Sequence, residues 1–220
     1  MLKRIINDTG YRKNLIELFS LIFSGVFGIF NGILSVMSGS IWFLMLSIYY
    51  IALSFGRLGI YYYKRKAENK SALASIKLYR NSGLFLLIMN FAIGVAVLQI
   101  VFIEKGFNYP GLFIYAVATY AFTKITFAII NISKTRGTEN YTEMALRSIN
   151  LIDSSVSILA LQTALISEFS EGSADITVMN GITGTVVFLF TLAFGIFMII
   201  KSHKEIKRIK RTDLNGKQGI

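Results

Sequence analysis

Residues 177–200 read TVMNGITGTVVFLFTLAFGIFMII: 24 residues without one charged side chain, ended by Lys201. The hydrocarbon core of a bilayer, about 30 Å thick, needs roughly 20 mostly apolar helical residues to cross it. This stretch is long enough. Strands of a membrane barrel would be about half that length and would alternate in polarity, which this run does not do. A helix is then the way to satisfy its backbone in lipid.

Five further windows of the same kind precede it, at about 14–37, 40–63, 83–104, 110–133 and 146–168. The composition agrees. Of 220 residues, 54% are hydrophobic and 16% charged, where soluble domains carry roughly 25% charged residues. Mean hydropathy is +0.58. The expected fold class is therefore an all-α membrane protein with six transmembrane helices in a single polytopic domain, followed by a basic cytoplasmic tail at 201–220. The first window is apolar from 15 to 37, beyond the 7–15 residues of a signal-peptide core, so it is expected to stay as a membrane helix.

The basic residues set an orientation. Four precede span one, six lie between spans two and three, three between spans four and five, and seven follow span six. Those segments share one side of the membrane. The other side holds Lys105, with Glu104, Glu168, Glu171 and Asp175. By the positive-inside rule both termini are expected in the cytoplasm. The outer connections are short, at 38–40, 105–109 and 167–176, and leave no room for a soluble domain there. The longest inner connection, 64–80, reads as helical extensions of its two spans. Asn140-Tyr141-Thr142-Glu143 has the form of a capping box opening span five, and Pro110 suits the first turn of span four.

Six spans with both ends inside suit either three parallel helical hairpins or two inverted halves. Phe55-Gly56-Arg57-Leu58-Gly59 in span two resembles Phe122-Thr123-Lys124-Ile125-Thr126 in span four, and Phe194-Gly195 in span six keeps the aromatic–small pair. Leu98-Gln99 and Leu161-Gln162 stand 63 residues apart, as do Asn90 and Asp153. Chance produces such matches too in a chain rich in Phe, Leu, Ile and Gly. The mitochondrial carriers have a threefold layout, but their pattern of Pro, acid and base on odd helices is absent here.

Ionisable residues inside spans are costly and point to function by default. Four stand out away from the window ends: Glu17, Arg57, Lys124 and Asp153. Counted from the flanking basic residues, at 1.5 Å per residue, all lie within about 15 Å of the inner ends. Two readings compete. In one, the four form ion pairs that hold the bundle together, and Glu17 is expected to do so. In the other, Arg57, Lys124 and Asp153 line a cavity open to the cytoplasm, with Asn90 and Gln99 as further binding residues. Two cations against one acid would favour an anionic or zwitterionic guest.

Span one carries Ser20, Ser24, Gly28 and Gly32 at four-residue intervals, a small-residue ridge that lets another helix approach closely. Its partner is a helix of this chain or of another subunit, including a second copy. Span six has a looser version in Gly181, Gly184, Thr185 and Gly195. Tyr115 and Tyr120 suit either a cavity wall or the core. Beyond span six, Lys204, Lys207, Arg208, Lys210 and Arg211 form a juxtamembrane basic segment expected to attract anionic lipid at the cytoplasmic face.

Much chemistry has no residues to carry it. There is no cysteine, and His203, the one histidine, sits in the basic tail. No metal-ligand spacing, phosphate loop, nucleophile elbow or dinucleotide fingerprint occurs. Neither an enzyme nor a bound metal or cofactor is expected. Nucleic-acid binding would want a folded basic module, and the charge is explained by topology.

The run Phe107-Asn108-Tyr109-Pro110-Gly111, followed by Ile114-Tyr115-Ala116, together with the six-span layout, resembles a group of uncharacterised six-helix integral membrane proteins of Gram-positive bacteria. The likeness spans most of the chain and implies no activity. By size and helix count the chain is also similar to the substrate-binding components of energy-coupling-factor vitamin transporters. Their first helix docks a partner through small residues, which implies that role for Ser20, Ser24, Gly28 and Gly32. The expected function is a small transport protein or channel-like permease of the cell membrane. The alternative is a non-catalytic membrane subunit, scaffold or regulator that docks through span one.

Overall fold

The computed structural model describes residues 9–66, 72–102, 113–133, 140–169 and 173–218, and among them every regular element is an α-helix. The six are α1 (Thr9–Ser38), α2 (Ile41–Lys66), α3 (Ala72–Phe102), α4 (Phe113–Ser133), α5 (Tyr141–Phe169) and α6 (Ser173–Gln218). Each is long and apolar enough to cross a membrane. This is a multi-pass membrane protein. Pro110 and residues 107–111 lie outside the described residues.

Helix ends follow local chemistry. Gly39 takes the left-handed φ of 67° that ends α1, its N–H donating to the Ser35 carbonyl at 2.8 Å. A glycine adopts that conformation without a Cβ clash. Asn140 caps α5: its Oδ1 accepts from the Thr142 N–H at 3.0 Å, while Glu143 pairs with Arg147 one turn on, at 2.9 Å. Two helices run furthest beyond their apolar windows. α3 begins at Ala72, within the stretch expected to extend its span as helix. α6 runs without a break to Gln218, so the basic segment is a continuation of the last span and not a separate tail. Its 46 residues make a rod about 69 Å long.

α1 packs on α2, α4 on α5, and α3 most extensively on α6. α5 touches α2, α3, α4 and α6, and 61% of its apolar window is buried, against 28–44% in the other helices. It is the axis of the bundle. Three hairpins packed alike would join each odd helix to the even helix after it. α3 departs from that pattern, packing on α6 and not on α4. The outward faces carry large apolar side chains such as Ile29, Phe91, Phe122 and Ile182, as contact with lipid requires.

Two seams hold the bundle through small residues. On α1, a Cβ at Gly28 would lie 2.8 Å from Ile51 of α2, and one at Gly32 would lie 3.0 Å from the Ser47 hydroxyl. Between α3 and α6, Gly83 and Gly195 bring the backbones together: a Cβ at Gly83 would lie 3.2 Å from the Gly195 carbonyl oxygen and 2.9 Å from Met198 Cβ. Gly94 meets Phe188, and Gly184 meets Val97, in the same seam.

Candidate functional site: a buried ion cluster

α5 presents Asn150, Asp153, Ser154 and Ser157 at helical spacing, and all four are buried. This polar stripe faces the junction with α1, α2 and α4. Asp153, with no exposed surface, is its centre. Its Oδ2 accepts from Arg57 Nη2 of α2 at 2.6 Å and from Lys124 Nζ of α4 at 2.8 Å. Its Oδ1 accepts from the Tyr120 hydroxyl at 3.0 Å. The structure brings Arg57, Lys124 and Asp153 together.

The surroundings differ from the expected cavity wall. Arg57 and Lys124 are each only 2% exposed, so among the described residues the trio is a closed cluster. Attraction between the three charges draws them into contact and removes the space between them. Arg57 Nη2 also donates to Asn150 Oδ1 at 2.9 Å, and Nη1 to the Ser20 carbonyl at 3.3 Å and to Ser24 Oγ. Lys124 Nζ donates to Ser20 Oγ at 2.8 Å and Ser24 Oγ at 2.7 Å. Ser154 ties the elements together by donating to the Lys124 carbonyl at 2.9 Å.

Ser20 and Ser24 thus have a different role from the packing one their spacing suggests. They are hydroxyl partners of the two cations. Gly28 and Gly32 do pack, but on α2 of the same chain. The ridge is filled from within, and a partner helix could reach it only by displacing α2.

By formal charge the cluster carries two cations and one carboxylate, a net +1. Ser24 Oγ accepts from Arg57 and Lys124, which fills its two lone pairs, while the one Tyr120 proton goes to Asp153. Arg57 Nε is buried and has no acceptor among the described residues. A buried donor without an acceptor is costly, so this site has a place for one more acceptor.

The other expected binding residues lie elsewhere. Asn90 belongs to the α3–α6 seam, donating to the Phe188 carbonyl at 3.3 Å and accepting from the Thr191 hydroxyl. It does not join the ion cluster. Gln99 is buried further along α3. Glu17 pairs with Lys64 at 3.3 Å, half-buried. Lys204, Lys207, Arg208, Lys210 and Arg211 are exposed on the continuation of α6. Among the described residues no three His, Asp or Glu gather as metal ligands.

Two members of the cluster are not selected by an inventory of charges. Asn150 stands three residues before Asp153, and its place on the same helical stripe is the signal that finds it. Tyr120 stands one turn before Lys124, so the two share a face. Compared with known proteins, the chain matches no protein-family model and no curated protein sequence.

Proposed function

We propose that this chain is a small transport protein of the cell membrane, a permease, with the Arg57–Lys124–Asp153 cluster as its guest site. The guest carries negative charge, as a simple anion or the acidic end of a zwitterion. The observation that supports this is the imbalance of the cluster: one carboxylate serves two buried cations, and one Arg57 N–H lacks an acceptor. Ions held only to fasten a bundle would be expected to balance. In this reading both termini are cytoplasmic, following the distribution of basic residues. The basic end of α6 then meets the anionic inner surface of the bilayer.

The cluster is closed, so transport requires it to open. The guest's negative charge replaces Asp153 on one or both cations as it enters, which keeps the interior from holding bare charge. Docking to a larger assembly through α1 is the rival reading, and its surface is occupied by α2.

The test is uptake into liposomes containing the purified protein alone, with radiolabelled monocarboxylates, phosphate and amino acids as a panel. Uptake of an acidic solute is expected, and Lys124→Met should abolish it while the protein remains folded. Equal uptake by wild type and Lys124→Met would remove the cluster from the pathway. An inert protein that copurifies with a second polypeptide would favour the subunit reading.

A further inference from the structure

α1 and α4 have the thinnest contact of any packed pair of helices in the bundle. Between them lies an apolar cleft of about 390 Å³, walled by Phe23, Phe27 and Phe30 on α1 and by Ala116, Thr119 and Tyr120 on α4. The volume falls within the ~300–1,000 Å³ range of small-molecule sites. Val26 and Tyr115 at its lips are 58% and 71% exposed, so the cleft opens sideways from the bundle. Both walls lie within membrane-spanning segments. What meets this opening is hydrocarbon.

The cleft and the ion cluster share one side chain. Among the described residues, Tyr120 alone both walls the cleft and bonds the cluster. Its ring stacks on Phe27 at 3.8 Å and on Phe23 at 5.0 Å, while its hydroxyl donates to Asp153. Lys124 Nζ lies 5.2 Å from the centre of the same ring. One tyrosine therefore separates an apolar channel, open to lipid, from a buried site with an excess positive charge. A guest with a greasy tail and one acidic head matches both parts.

Taking the cluster to be the permease's guest site, we propose that the α1–α4 cleft seats the hydrocarbon chain of a long-chain carboxylate, whose head is received by Lys124 and Arg57. Three observations select this occupant. The single negative charge of the head balances the cluster's +1. The cleft holds the volume of one chain rather than the two of a bilayer phospholipid. Arg57 and Lys124 both bond a carboxylate already, that of Asp153, and a carboxylate head can take the same bonds in its place. Entry is lateral, from the membrane, and requires Tyr120 to release Asp153.

The test uses full-length protein in nanodiscs and palmitate bearing a photoreactive diazirine in its chain. Label is expected on residues 23–30 and 115–120. Unlabelled palmitate should compete about tenfold better than its methyl ester, because the ester has no charge for Lys124. Ala116→Trp, at an exposed position on the cleft wall, should block labelling and leave the cluster intact. Tyr120→Phe keeps the ring on Phe27, frees Asp153 and should strengthen binding of the acid. Should Lys124→Met fold, it should erase the preference for acid over ester.

Label spread evenly over the lipid-facing helices, or equal competition by acid and ester, overturns the proposal: the cleft then holds ordinary membrane lipid. So does disulfide dimerisation of Ala116→Cys, a clean probe in a chain without cysteine, since a second copy would then fill the cleft. Uptake of a water-soluble carboxylate that needs Lys124 but ignores Ala116→Trp, without acid-selective labelling, also overturns it and leaves the permease standing. Acid-selective labelling without any uptake does the reverse: the site stands and the permease falls.

Discussion

Two regions of this bundle hold helices together by opposite means. The α3–α6 seam relies on glycine. Gly83 and Gly195 let two backbones approach, and Val97, Phe188 and Met198 fill the space that absent side chains leave. The junction of α1, α2, α4 and α5 relies on charge, with Asp153 bound to Arg57 and Lys124. In lipid, helices associate through close packing without a hydrophobic drive, and the glycine seam does this without burying a charge. The ion cluster incurs a desolvation cost that the seam avoids. Adhesion alone therefore does not require the charges, and the proposed guest would give the excess cation its role.

The comparison breaks most sharply at Asp153. Asp153→Asn leaves two cations facing each other without their acid, and removing one partner of a buried pair costs about 3–5 kcal/mol. Thermal unfolding in detergent, followed by the fluorescence of the buried Trp42, should show the largest drop of any variant considered. In the glycine seam, Gly83→Leu forces α3 from α6 and should cost about 1–3 kcal/mol, as overpacking does. Its uptake per folded molecule should stay close to wild type. An equal loss of specific uptake would mean that the seam takes part in transport.

Smaller effects sharpen the contrast. Asn140→Ala removes the cap of α5, far from either region, and should cost about 1 kcal/mol with function retained. Lys124→Met is the informative case. It leaves a neutral Arg57–Asp153 pair and strands no buried charge, the condition that makes loss of one partner so costly. Stability should fall by less than for Asp153→Asn, yet uptake should vanish. A collapse of stability as deep as that of Asp153→Asn would make Lys124 a structural ion and weaken its assignment to a guest.

The six crossings were legible in the sequence because apolar length is a strong signal and lipid leaves the backbone few options. The meeting of Arg57, Lys124 and Asp153 was legible for a related reason: charges buried in lipid seek each other. Small polar residues were harder. Ser20 and Ser24 have the same spacing whether they pack a helix or bond a cation, and the presence of Arg57 and Lys124 opposite them decides between the two. Asn90 and Asp153 occupy matching places in sequence but face different helices, because α3 has turned to α6. That neighbour relation is not encoded in periodicity. α3 is apolar nearly all round, so its sequence names no preferred face, and Gly83 and Gly94 become meaningful only once α6 lies against them.

The unbroken course of α6 carries a mechanical consequence. From Gly195, where it crosses α3, to its end at Gln218 the helix extends about 35 Å. A tilt of about 5° at that crossing would sweep the basic end through roughly 3 Å, given the helix rise. The glycine crossing is then a fulcrum and α6 a lever, and a small rearrangement within the bilayer would register at the membrane's edge as a displacement of charge.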